Sequence, residues 1–145
     1  MPAQLESGVN ANDELFRTEV QQFLAANFPE DLKGKGNPLA GLEGPTNETD
    51  QQRKWREAVG QRGWGTPTWP KEYGGRGSSP IERVIWQQEE GPFGKLSSVF
   101  IIGHGMCGPT MMAFAGEEQK REYLPPLASG EKVWCQLFSE PAGGS

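Results

Sequence analysis

The residues best suited to chemistry stand together in Trp134-Cys135-Gln136-Leu137-Phe138-Ser139-Glu140-Pro141-Ala142-Gly143-Gly144-Ser145. A run rich in β-forming residues stops at Glu140-Pro141 and opens into Ala-Gly-Gly-Ser, where backbone N–H groups and hydroxyls can donate. An anionic or heterocyclic ligand suits such a place. The other candidates read more plainly. His104 is the only histidine and has no second ligand at helical spacing, so a pocket-lining or hydrogen-bonded core imidazole fits better than a metal ligand. Glu89 and Glu90 are helix neighbours that point apart, which reads as a solvated face. Gly74-Gly75-Arg76-Gly77 lacks the Lys-Ser/Thr pair and the preceding strand of a phosphate cradle, which leaves a structural turn. Trp55, Trp64, Trp69 and Trp86 are not interleaved with bases, as a nucleic-acid platform requires, and read as core and loop anchors.

Composition sets the frame for these groups. A chain of 145 residues is one ordinary domain, long enough to bury about two thirds of its unfolded surface. Hydrophobic residues are only 34%, mean hydropathy is −0.65, and there are 20 Gly and 12 Pro. That balance points to helices separated by long loops, or to a domain whose covering partners are elsewhere. A net charge of −5 and a pI near 5.0 argue against nucleic acid and anionic membranes as partners. No apolar run reaches membrane-spanning length, so no membrane insertion is expected. The first residues carry no basic or apolar leader, and Cys107 and Cys135 lack a metal spacing. A reduced, cytoplasmic protein is the expectation.

The elements that must position these residues are mostly helical. After a flexible lead over 1–11, Asn12 is expected to cap a helix that places Phe16, Val20, Phe23 and Leu24 on one face and ends at Pro29. Thr49 with Gln52 opens a second helix, which turns Trp55, Ala58 and Val59 inward and stops at Gly63. The Gly-rich stretches from Asp31 to Pro45 and from Gly65 to Ser78 read as loops. Ser79-Pro80-Ile81-Glu82 starts a third helix, which has Ile81, Val84 and Ile85 on one side and stops at Gly91-Pro92. Leu96 to Ala115 reads as a buried helix, apolar all round and broken near Pro109. Glu117 to Leu124 is a short charged helix, with Glu117 and Arg121 paired, that Pro125-Pro126 ends. Residues 131–145 are then expected to form a strand and loop.

Read in order, the helix string, Trp69-Pro70-Lys71-Glu72-Tyr73-Gly74-Gly75, Glu117-Glu118-Gln119-Lys120-Arg121-Glu122-Tyr123-Leu124 and Trp134 to Ser145 resemble the N-terminal part of an acyl-CoA dehydrogenase. The resemblance implies a helical domain over 12–130, a bundle of five to six helices, followed at 131–145 by the first strand of a middle β-domain. It implies a chain cut short of its β-domain and C-terminal bundle. It also implies FAD as cofactor, an acyl-CoA thioester as substrate, an electron-transfer flavoprotein or similar acceptor, and a homo- or hetero-oligomer, usually a tetramer. The family's reaction desaturates the α,β carbons: a carboxylate takes the α-proton and flavin N5 takes the β-hydride.

Carried onto this sequence, the resemblance implies that Gln136, Phe138 and Ser139 lie along the isoalloxazine, with Ser139 donating to its N1/O2 edge. Gly144 and Ser145 would meet the pyrophosphate, and Ser145 would approach the thioester. Val99, Ile102 and Met106, spaced i, i+3 and i+7, would line the acyl-tail pocket, although core packing accounts for the same spacing. Gly103, Gly105 and Gly108 would leave room beside them for a bulky acyl group. The catalytic base has no counterpart in this sequence, so these residues alone are expected to be inactive. Two other readings share the motifs: a non-catalytic partner subunit or interaction module, and a flavin oxidase or monooxygenase.

Overall fold

A computed structural model describes residues 10–33, 48–93 and 100–143. Among them run five α-helices: α1 (Ala11–Asn27), α2 (Asp50–Gln61), α3 (Pro80–Glu90), α4 (Gly108–Phe114) and α5 (Glu117–Ala128). The chain is mainly helical, as the periodicity and capping signals predict. Asn10, not Asn12, opens α1. Its Oδ1 accepts from the Asp13 N–H at 2.9 Å, and the Asp13 carboxylate accepts from the Asn10 N–H at 3.1 Å. This reciprocal box needs a side-chain oxygen acceptor three residues after the cap, where Asn12 would offer only Leu15. The Thr49–Gln52 and Ser79–Glu82 boxes form as expected at α2 and α3.

These three helices close around an aromatic core. Phe16, Val20, Phe23 and Leu24 of α1 meet Trp55 and Val59 of α2, Ile85 and Trp86 of α3, and Trp64 beyond α2. Trp64 and Trp86 stack at 4.5 Å and 9°, and Phe23 touches the rings of Trp55, Trp64 and Trp86. The Arg76 guanidinium lies 3.6 Å over the Trp64 ring, donates to the Arg62 carbonyl at 3.0 Å and pairs with Glu19. Its turn is therefore structural. A Cβ at Gly75 would stand 2.2 Å from the Trp69 carbonyl oxygen.

Two expectations for α3 are corrected. Its inner face is Ile85 and Trp86, while Ile81 and Val84 are exposed, because seating Trp86 on Trp64 rotates the helix. Glu89 and Glu90 are not a solvated pair. Glu90 is buried, and Glu89 is held by Arg17 and, at 3.0 Å, by Gln21. Burial raises the Glu89 carboxyl, but those two donors outweigh it and hold its pKa below the ordinary range.

A second, smaller cluster joins Trp69 and Tyr73 to Leu124, Leu127 and Ala128, with Met111, Met112 and Trp134 packed against it. Here α5 continues through Pro125-Pro126 to Ala128 instead of stopping. The prolines remove bonds to the carbonyls of Arg121 and Glu122, which are exposed residues that water can serve, while Leu124, Leu127 and Ala128 anchor the turn inside. Glu117 takes Lys120 at 3.0 Å and the Tyr73 hydroxyl at 3.2 Å in preference to Arg121. The segment 133–139 has no strand ladder. The only bridge among the described residues is Glu140 with Gly143, closing the turn by bonds of 2.7 and 3.1 Å. A strand is stable only beside a partner, and none of the described residues supplies one. No helix among the described residues is long and apolar enough to cross a membrane.

Candidate functional site

The two parts of the expected site, a helix face and an extended segment, meet in space. The chain from Ile101 to Phe114 is helical but widens into a π turn at Gly103–Cys107 just before α4. Pro109 has no N–H, and its ring crowds the carbonyl of Gly105; the wider turn relieves both problems. This is the form taken by the expected break near Pro109. The stretch is not buried all round: Phe100 is inside, whereas Ile101, Met106 and Phe114 are exposed.

Two of its glycines admit core side chains, not a ligand. A Cβ at Gly103 would lie 2.6 Å from Leu127 Cδ1, and one at Gly108 would lie 2.1 Å from the Trp69 ring. Only Gly105 has open space beside it. The expected room for an acyl group at these three is therefore not found, because Gly105 borders a different cleft, the one lined by His104.

Opposite this buried side, a cleft of about 380 Å³ opens between Ile102, Met106 and Met111 on the helix and Trp134, Gln136 and Phe138 on the extended segment. Thus the expected acyl-face residues Ile102 and Met106 and the expected cofactor residues Gln136 and Phe138 share one cleft. Ser139 is exposed and lies just beyond that lining. Val99, Gly144 and Ser145 lie outside the described residues. Leu137 and Phe138 are 86% and 85% exposed, so the segment's apolar side chains are uncovered. Sequence reasoning missed Trp134 and Met111. Every residue from Trp134 to Phe138 lines the cleft, so the signal for Trp134 was its continuity with Gln136 and Phe138 in the motif. Chemically, the cleft offers apolar walls with the Gln136 amide and the Ser139 hydroxyl near one rim, a surface fit for a flat heterocycle and an apolar chain.

His104 looks the other way from this cleft. A carbonyl can only accept, so Nε2–H donates to the Leu127 oxygen at 2.7 Å; the ring stacks on Phe100 at 5.4 Å and 16°. Burial pushes its pKa below the ordinary imidazole value, and the Leu127 bond offsets only part of this. The histidine is both a bonded core residue and the wall of a second cleft.

This arrangement of helices is found in solved structures of much greater length. The chain matches the ChsE4-ChsE5 complex from Mycobacterium tuberculosis with a TM-score of 0.65 and 27% identity, over 93% of this chain and 32% of that one. Residues 10–131 match the family described as acyl-CoA dehydrogenase, N-terminal domain, and the chain belongs to the acyl-CoA dehydrogenase family. Acyl-CoA dehydrogenase IpdE1 of Mycobacterium tuberculosis is 36% identical over 135 residues, covering 91% of this chain and 34% of the relative. Mitochondrial isovaleryl-CoA dehydrogenase of Bos taurus is 28% identical over 143 residues, 96% of this chain and 31% of the relative. The chain thus spans about a third of the length of the curated relatives it matches.

Proposed function

We propose that this chain is the helical third of an FAD-dependent enzyme that desaturates an acyl-CoA thioester at its α,β carbons. One observation carries the reading. Ile102 and Met106 share a single apolar cleft with Gln136 and Phe138, so one wall can guide the acyl chain while the other lies against a flat ring. The residues fit a flavin: an extended backbone, exposed apolar side chains at Leu137 and Phe138, and an exposed Ser139 beyond them. When bound, the flavin would accept the hydride from the β-carbon.

The chain's own share is then binding and electrostatics. Phe138 covers the ring, Gln136 donates or accepts at its edge, and Ser139 donates from its hydroxyl and backbone N–H to the N1/O2 edge, where negative charge grows. Ile102 and Met106 keep water from the acyl tail. Val99, Gly144 and Ser145 complete the assignment, with Val99 and Ser145 toward the substrate and Gly144 and Ser145 toward the pyrophosphate. The base belongs to a part of a longer protein, and an electron-transfer flavoprotein is the proposed acceptor. The solved Tcur3481-Tcur3483 steroid ACAD is 28% identical with a TM-score of 0.62. That likeness supports a bulky ring-bearing acyl group and a hetero-oligomeric setting here; methionines at 106 and 111 can adapt to such a shape.

The test uses the full-length protein containing this segment. Ser139→Ala should slow flavin reduction by an acyl-CoA more than it weakens FAD binding, when rapid-mixing kinetics and an FAD titration are compared. Losing one donor of this kind costs about 2.7–4 kcal/mol where it is fully engaged, and the retained backbone N–H should keep the loss below that. An unchanged reduction rate with FAD affinity lost would make the hydroxyl an anchor only.

A further inference from the structure

On the far side of the π turn from the acyl cleft lies a second cleft of about 430 Å³. Among the described residues its lining contains one cation, Arg83, and no carboxylate. Arg83 is exposed and takes part in no ion pair among the described residues. Phe100, Ile101 and Trp69 supply apolar wall. Thr66 is in the same lining at 3% exposure, and its buried hydroxyl has no hydrogen-bond partner. A buried orphan hydroxyl costs stability, and this one lies behind the cleft wall, out of reach of a molecule in the cleft. His104 completes the lining. With Nε2–H committed to Leu127, its Nδ1 keeps a lone pair on the Gly65 side, where a Gly65 Cβ would lie 3.7 Å away.

We propose that this second cleft binds a small organic carboxylate, with Arg83 holding the carboxylate and Phe100 and Ile101 covering its apolar body. Charge selects the class: a guanidinium without an acid in its cleft favours an anion, and guanidinium geometry suits two carboxylate oxygens. The apolar walls exclude a bare inorganic ion as the best occupant, because it would leave them uncovered. His104 Nδ1 remains as an acceptor for a donor on the ligand. This site is distinct from the acyl cleft, since the two linings share no residue among those described.

The single histidine makes the test direct. Phenylacetate is titrated into the chain while the ring C–H resonances of His104 are followed by NMR. The expected result is a saturable shift, with phenylacetamide, which has the same shape and no charge, binding at least about tenfold more weakly. Arg83→Gln should weaken phenylacetate by a similar factor, and Arg83→Lys should restore part of it. Because Arg83 is exposed, its variants should keep the wild-type circular dichroism, which separates lost binding from lost folding. An unmoved His104 resonance, equal binding of phenylacetamide, or an unchanged affinity in Arg83→Gln would overturn the site.

Discussion

The two halves of this domain treat their apolar residues in opposite ways. Around α1, α2 and α3 the large side chains are used up on one another: Trp55, Trp64 and Val20 are 0–1% exposed, and Trp64 stacks on Trp86. Around α4, α5 and the segment 133–139, Met106, Phe114, Leu137 and Phe138 stand open to solvent although Leu124 and Leu127 beneath them are fully buried. Scattered exposed apolar groups need no explanation, but Met106, Leu137 and Phe138 line one cleft. The first half holds the fold; the second leaves a surface for something else to cover.

If that division is right, truncation should hurt one half and barely touch the other. Trp64→Ala should lower unfolding free energy by about 3–5 kcal/mol, the usual cost of emptying a large aromatic site. Phe138→Ala, at 85% exposure, should fall within about 0.5 kcal/mol of wild type. Chemical denaturation of the two variants makes the comparison, and a large cost at Phe138 would place it in the core. A smaller effect probes packing inside the second half. Gly108→Ala must push a methyl against the Trp69 ring, and overpacking of this kind should cost about 1–3 kcal/mol.

The smallest effect is on pH and separates the halves by window. His104, in the second half, has a lowered pKa from burial, so below the unfolded value of about 6.5 the unfolded chain binds the extra proton first. Stability should therefore be complete above that pH and decline as pH falls toward the folded pKa. Glu89, between α1 and α3, is also depressed; its contribution is present above its unfolded value of about 4.3 and is lost only at lower pH. Denaturation at pH 7 and about 5.5 checks the first step. His104→Gln should flatten that step, and a step that survives the substitution would assign it elsewhere.

Legibility in the sequence followed the same division. The capping boxes at Thr49 and Ser79 and the α1 face could be read because they depend on residues three or four apart. What failed depended on distant partners. The face of α3 was misread because Trp64, far along the chain, decides where Trp86 must lie. Pro125-Pro126 reads as a stop unless one knows that Leu124 and Leu127 are pinned under Trp69 and Trp134. Glycines 103 and 108 look like open space, yet space beside a glycine is decided by its neighbours, here Leu127 and a tryptophan ring. The cleft was half legible: helical spacing marked Ile102 and Met106, and the motif marked Gln136 and Phe138. That the two sets face each other is a tertiary fact.

The central claim is that the open cleft receives the acyl group beside the flavin. Met106→Trp in the full-length protein would fill the cleft from its helical wall at a residue already 46% exposed, so the fold should be little affected. The decisive measurement is the acyl-CoA concentration dependence of flavin reduction by rapid mixing, with melting temperature as the control. The account predicts that saturation by acyl-CoA is lost or shifted at least about tenfold while melting is unchanged. Wild-type saturation and rate with tryptophan in place would contradict it, and the acyl chain would have to lie elsewhere.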